Sequence, residues 1–179
     1  MGAKEDFFMK KSIRVITLAA MLTAMSVVIG IFCKNFLNFG GGLFRITFEN
    51  LPIILTGILF GPFVGAVVGV ATDLISYFLS AQTYPPNLIV TFGAAMIGFC
   101  SGFVSRVVVK KRGYAQIIAS GAVAHIIGSM IIKTIGLFQF YNWGVLVRIP
   151  LYILVGGLEI FLLCILYKKR SFRKLIDEI

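Results

Sequence analysis

The stretch Leu59-Phe60-Gly61-Pro62-Phe63-Val64-Gly65 decides how this chain folds. It lies inside an apolar block from Ile46 to Thr72, which is too long for one straight helix. Glycine followed by proline is a strong helix breaker. The block therefore divides into two spans, residues 48–60 and 62–79, joined by a tight turn. Were they one kinked helix, the basic clusters before and after them would fall on opposite sides of a membrane.

Working outward, the same apolar character continues in both directions. A first span covers residues 12–32, with Lys10, Lys11 and Arg14 preceding its apolar stretch from Val15 to Cys33. No clear small-residue cleavage site follows it, so it reads as a retained helix and not as a removed leader. A loop rich in Gly and Asn follows, from Lys34 to Gly42. After the turn Tyr84-Pro85-Pro86-Asn87 come spans at 88–109, 115–137 and 144–167. Lys110-Lys111-Arg112-Gly113 closes the first of these, and the aromatic run Phe138 to Trp143 separates the last two.

Composition agrees with this division. Of the 179 residues, 59% are hydrophobic and 13% charged, about half the charge of an ordinary soluble domain. Such a chain cannot cover itself with a polar surface in water. The expected fold is an all-α integral membrane protein, a bundle of about six transmembrane helices of roughly 20 residues each. Residues 1–11 form an N-terminal tail, 12–167 the membrane domain and 168–179 a basic C-terminal tail.

The cations give this bundle a sidedness. Lys and Arg near span ends stay on the cytoplasmic side. The N-terminal segment, Lys110 to Arg112, and the tail with Lys168, Lys169, Arg170, Arg173 and Lys174 are all basic. An even number of spans puts both termini in the cytoplasm. A net charge of +10 so placed suits anionic lipid and not nucleic acid.

Ionisable residues at membrane depth are costly and mark function. Arg45, Glu49, Asp73, His125, Lys133, Arg148 and Glu159 stand within or beside spans. Most fall in the outer half, Glu159 being the deepest, as a polar pocket opening outward requires. The bland alternative is that they pair with one another or reach the interface, and His125 can simply bond across helices. Phe36, Phe39, Phe44, Tyr84, Phe138, Tyr141 and Trp143 form either an interfacial belt or a stacking wall and lid. Gly40, Gly41 and Gly42 suit a mobile first loop.

Small residues carry a separate signal. Ala20 and Ala24 form a small-xxx-small pair in the first span, and Gly61, Gly65 and Gly69 recur on one face of the third. Such faces let helices approach closely. The glycine face suits packing within the bundle; the alanine face suits either packing or docking to another membrane subunit. Cys33, Cys100 and Cys164 have no metal spacing and read as reduced packing residues. No P-loop, H-E-x-x-H, C-x-x-C or G-x-S-x-G occurs. The chain therefore reads as no enzyme, with no cofactor, no metal site and no catalytic residue. Uphill transport would need a partner or an ion gradient.

Phe44-Arg45-Ile46-Thr47-Phe48-Glu49-Asn50-Leu51-Pro52-Ile53, then Leu59 to Gly65, then Gly69-x-x-x-Asp73-Leu74 resemble the substrate-binding S component of an energy-coupling factor (ECF) vitamin transporter. The resemblance covers essentially the whole chain, and the Arg-Ile-x-Phe-x-x-Leu-Pro string is closest to the folate-specific S component. It implies a six-helix bundle that takes vitamin from outside under its first loop, docks Ala20 and Ala24 on a transmembrane T component, and reorients in the membrane. Two cytosolic ATPases would drive it, in a prokaryotic plasma membrane. For folate, Asp73 is the first choice to accept two hydrogen bonds from the pterin edge, with Glu49 and Glu159 in reserve. Arg45, Lys133 and Arg148 are candidates for the glutamate tail or the pterin carbonyl, with His125 lining the pocket. Phe44, Tyr77, Tyr141 and Trp143 are candidates for stacking, and Asn87 and Asn142 for polar loop contacts. An S component for pantothenate or thiamine, an ion-coupled carrier and an intramembrane enzyme are the alternatives.

Overall fold

The computed structural model describes residues 2–39, 44–80 and 87–169, with side chains from residue 12 onward except at 39, 44 and 45. The glycines at 40–42, Tyr84-Pro85-Pro86 and the tail from Arg170 lie outside the described residues, and Phe44 and Arg45 are described as backbone alone.

Helix α1 spans Gly2–Phe36. It overruns the expected first span at both ends. Residues 2–11, assigned above to a tail, hold no proline and no β-branched residue, so nothing in them stops a helix. The chain then forms a small antiparallel hairpin, β1 (Asn38–Phe39) and β2 (Phe44–Arg45), pairing Asn38 with Arg45 and Phe39 with Phe44. The first loop is thus tied at its base.

The break at Gly61 is present. Helix α2 (Asn50–Phe60) ends on Gly61, whose φ of 96° is a conformation that disfavours any side chain. Helix α3 (Pro62–Leu79) begins on the proline itself, where a missing N–H costs nothing. All but one of the α2 residues are buried. A helix apolar on every side belongs in a core; α1, α3, α4, α5 and α7 surround it.

Helix α4 (Leu88–Phe103) runs on into a π-helical turn, Val104–Val108. It lies antiparallel on α3 along the glycine stripe. Gly61 and Pro62 face Gly102, Gly65 faces Gly98, and Gly69 faces Ala94. At each glycine an added Cβ would run into backbone or a guanidinium, so this seam is backbone on backbone.

Helix α5 (Tyr114–Ala124), a π-helix (His125–Lys133) and α6 (Thr134–Tyr141) form one continuous rod. The run Phe138 to Tyr141, expected as loop, is helical. The chain reverses at Asn142, which has a φ of 45°, and a 3-10 segment (Asn142–Val147) leads into α7 (Arg148–Lys168). Helix α7 returns antiparallel along the rod: Tyr114 meets Tyr167 edge-on at 5.2 Å, Gly121 lies on Ile160, and His125 lies on Gly156.

The described residues are therefore almost wholly helical. Four stretches are long and apolar enough to cross a membrane: Ser12–Phe36, Pro62–Leu79, Leu88–Val108 and the reversing Tyr114–Lys168. Asn50–Phe60 is a shorter apolar helix.

Candidate functional site

One end of the bundle carries the α1–α2 hairpin, the α3–α4 connection and the reversal at Asn142. Its polar centre is built at the start of α2. Glu49 and Asn50 are both buried there. Lys133, the last residue of the π-helix, donates from Nζ to Asn50 Oδ1 at 3.1 Å and stands 3.7 Å from Glu49 Oε1. Its stem crosses Gly93, where an added Cβ would meet the lysine Cγ at 2.8 Å. Helix α1 closes the other side. Ser26 Oγ donates to the Glu49 carbonyl, and Gly30 leaves room for the Glu49 carboxylate. A buried charge must be paired and hydrogen-bonded; Glu49, Lys133 and Asn50 supply this for one another.

Asp73 stands on the face of α3 that continues the glycine seam. It accepts a 2.6 Å hydrogen bond from Thr91 Oγ1 of α4. Close by in α3, the Thr72 and Ser76 hydroxyls are buried with no hydrogen-bond partner among the described residues. Lys34 of α1 donates to the Ser76 carbonyl at 3.2 Å. Asn87 caps α4 by accepting from the Ile89 N–H at 2.9 Å, while its Nδ2 donates to the Gly136 carbonyl at 2.6 Å. One end of that amide caps α4 and the other ties it to α6.

The reversal gathers the aromatics. The Arg148 guanidinium, buried at the start of α7, lies 4.7 Å from the Tyr141 ring centre, a cation–π contact. Trp143 packs edge-on to Phe138 at 5.7 Å and is itself 75% exposed. Tyr77 packs edge-on to Phe78 at 5.6 Å. Deeper in the bundle, His125 Nε2 lies 2.7 Å from Glu159 Oε2, and the Glu159 side chain is wholly buried. Ser129 Oγ stands 3.4 Å from the other ring nitrogen.

Lys133, Asp73, Tyr77, Tyr141, Arg148 and Asn87 thus lie in elements that meet near this end, Trp143 is at its rim, and His125 is set further in. Ala20 and Ala24 are elsewhere, on an exposed face of α1. Sequence reasoning missed Ser26, Asn50 and Thr91, which complete the polar contacts of Glu49, Lys133 and Asp73. The pair Glu49-Asn50 directly before Leu51-Pro52 was the available signal. Among the described residues no group of three or more His, Cys, Asp or Glu is placed to hold a metal ion.

Comparison with solved structures finds the same fold in a crystal structure of FolT bound with folic acid, at a TM-score of 0.64 and 19% identity, covering 83% of this chain and 88% of that one. No curated protein matches the sequence. The family model described as ECF transporter, substrate-specific component, matches residues 14–147. That match spans well over half of the sequence, and the chain belongs to the family of ECF transporter substrate-specific components.

Proposed function

We propose that this chain is the folate-binding membrane subunit of an ATP-driven ECF importer. It captures the vitamin outside and delivers it inward by reorienting in the membrane with a T component and two cytosolic ATPases. In this reading it crosses a prokaryotic plasma membrane six times with both termini inside. The rod Tyr114–Tyr141 and α7 then count as two spans, because the 55-residue apolar stretch reverses at Asn142, and a hydrocarbon core about 30 Å thick needs only about 20 residues per helix.

One observation carries the reading. A bundle with the fold of a folic-acid-bound protein gathers, at one end, a buried ammonium, an amide and two carboxylates: Lys133, Asn50, Glu49 and Asp73. A pterin edge and an anionic glutamate tail call for those groups: a carboxylate for the amidine-like edge and a cation for the tail. In this reading Asp73 takes the pterin edge, and Lys133, Arg148 and Arg45 take the tail or the pterin carbonyl. Tyr77, Tyr141, Trp143 and Phe44 cover the ring faces, and His125 and Asn87 line the pocket.

The test is ligand identification. Protein purified from its natural host is extracted and the extract analysed by mass spectrometry. Folic acid is then titrated by calorimetry and by the fluorescence of Trp143, the single tryptophan. A folate in the extract and saturable quenching support the reading. Recovery of another vitamin with no response to folic acid rejects it.

A further inference from the structure

The π-helix His125–Lys133 has an ionisable residue at each end, and each reaches an acid on a different helix. At its first residue His125 Nε2 meets Glu159 Oε2 of α7 at 2.7 Å; at its last, Lys133 meets Asn50 and Glu49 of α2. A π-helix is a rare conformation, found mostly as single turns at functional sites. Nine residues of it need something to hold them open. Between the anchors Gly128 lies on the Gly93 carbonyl and Ile97, and the Thr134 hydroxyl donates to the Ser129 carbonyl at 3.5 Å. The Gly128 contacts set the segment against α4, and the Thr134 bond lies within the rod itself.

The winding decides where Lys133 points. With hydrogen bonds reaching one residue further, each residue turns the chain by less than ~90°, against ~100° in an α-helix. From His125 to Lys133 the difference adds up to roughly 80° or more. If the segment relaxed to α with His125 in place, Lys133 would swing away from Asn50 and Glu49. Glu159, wholly buried, meets His125 Nε2; Gly156 leaves the ring room, and Ser129 Oγ, one turn on in the same segment, stands 3.4 Å from Nδ1.

We propose that Glu159 is a positioning residue for Lys133: by holding His125, it fixes the π-helical register that delivers the Lys133 ammonium to the polar end of the bundle. Glu159 acts without touching Asn50, Glu49 or a ligand. The ligand arm of the test rests on the folate reading; the stability arm does not.

Five proteins are compared in detergent: wild type, Glu159→Gln, Glu159→Leu, Lys133→Met and the double variant Glu159→Leu/Lys133→Met. Folic acid affinity is measured by calorimetry and unfolding temperature without ligand. Each of Glu159→Leu and Lys133→Met is expected to weaken affinity by about 10-fold or more, and the double variant by little more than the worse single one, because coupled sites are not additive. Glu159→Gln, which keeps an acceptor for His125, stays within about threefold of wild type. The unfolding-temperature shifts show the same non-additivity. His125 is the only histidine, so its ring nitrogens report directly by NMR whether the contact survives in Glu159→Gln and is lost in Glu159→Leu. If Glu159→Leu does not fold, His125→Gln replaces it. Losses that multiply in affinity, or shifts that add in stability, overturn the proposal. If wild type binds no folic acid, the folate reading fails and the unfolding shifts alone decide this one.

Discussion

Thr91 donates a 2.6 Å hydrogen bond to Asp73 just where the glycine seam between α3 and α4 gives way to polar side chains. From Gly61 to Gly69 the two helices touch through backbone. One turn further on, a carboxylate and a hydroxyl fill the same interface. The seam therefore sets the height and direction at which Asp73 is presented.

Asp73→Asn keeps the shape and removes the charge. If Asp73 accepts the pterin edge, folic acid binding should weaken by about 10-fold or more, the scale of a lost hydrogen bond to a charged group. Calorimetry on folded variant checks this; unchanged affinity removes Asp73 from the site.

Glycine at the seam should be irreplaceable, and glycine outside it should not. Gly98→Val forces a side chain into the Gly65 backbone, and overpacking of this kind costs about 1–3 kcal/mol or more. Gly157 has nothing within 4 Å of an added Cβ. Gly157→Ala should leave stability unchanged or raise it by up to ~1 kcal/mol, since alanine is the better helix former. Thermal unfolding in detergent distinguishes the two signs.

Lys133→Met leaves Glu49 with one fewer partner in a buried setting. Breaking a buried pair from one side costs about 3–5 kcal/mol. Adding Glu49→Gln to Lys133→Met should restore most of the stability, while the loss in folic acid affinity persists. Measuring unfolding and binding on the same preparations separates these; stability that falls further in the double variant would count against the pairing.

Ala20 and Ala24 are exposed on α1. Ala20→Trp and Ala24→Trp should abolish complex assembly and vitamin uptake and leave binding by the isolated subunit unchanged. Co-purification with the T component and ATPases tests this. Normal assembly of the double variant would remove the docking role.

Much of this arrangement was legible in the sequence, for reasons specific to particular residues. Gly61-Pro62 was readable because its chemistry is local: a positive φ and a missing N–H stop a helix whatever surrounds it. The glycine stripe was readable as a face, though not the helix it would meet. The reversal was placed too broadly because aromatic residues tolerate a helix, and the turn rests on the single residue Asn142. Helix α1 runs on past the expected span because nothing in residues 2–11 stops a helix. The π-helix was invisible, since it depends on anchors on α2 and α7 that lie far away in sequence. That His125 would bond across helices was legible as an alternative, though not that Glu159 would be its partner; Ser26, Asn50 and Thr91 carry no charge to single them out.

The seam between α3 and α4 also limits how this molecule can move. Side-chain interfaces deform by changing rotamers, but facing glycines have none to change. Helices α3 and α4 must then travel as one stiff plank whenever a ligand enters or leaves. Any opening has to come from the parts that border it: the α1 hairpin on one flank, and the rod with its reversal on the other.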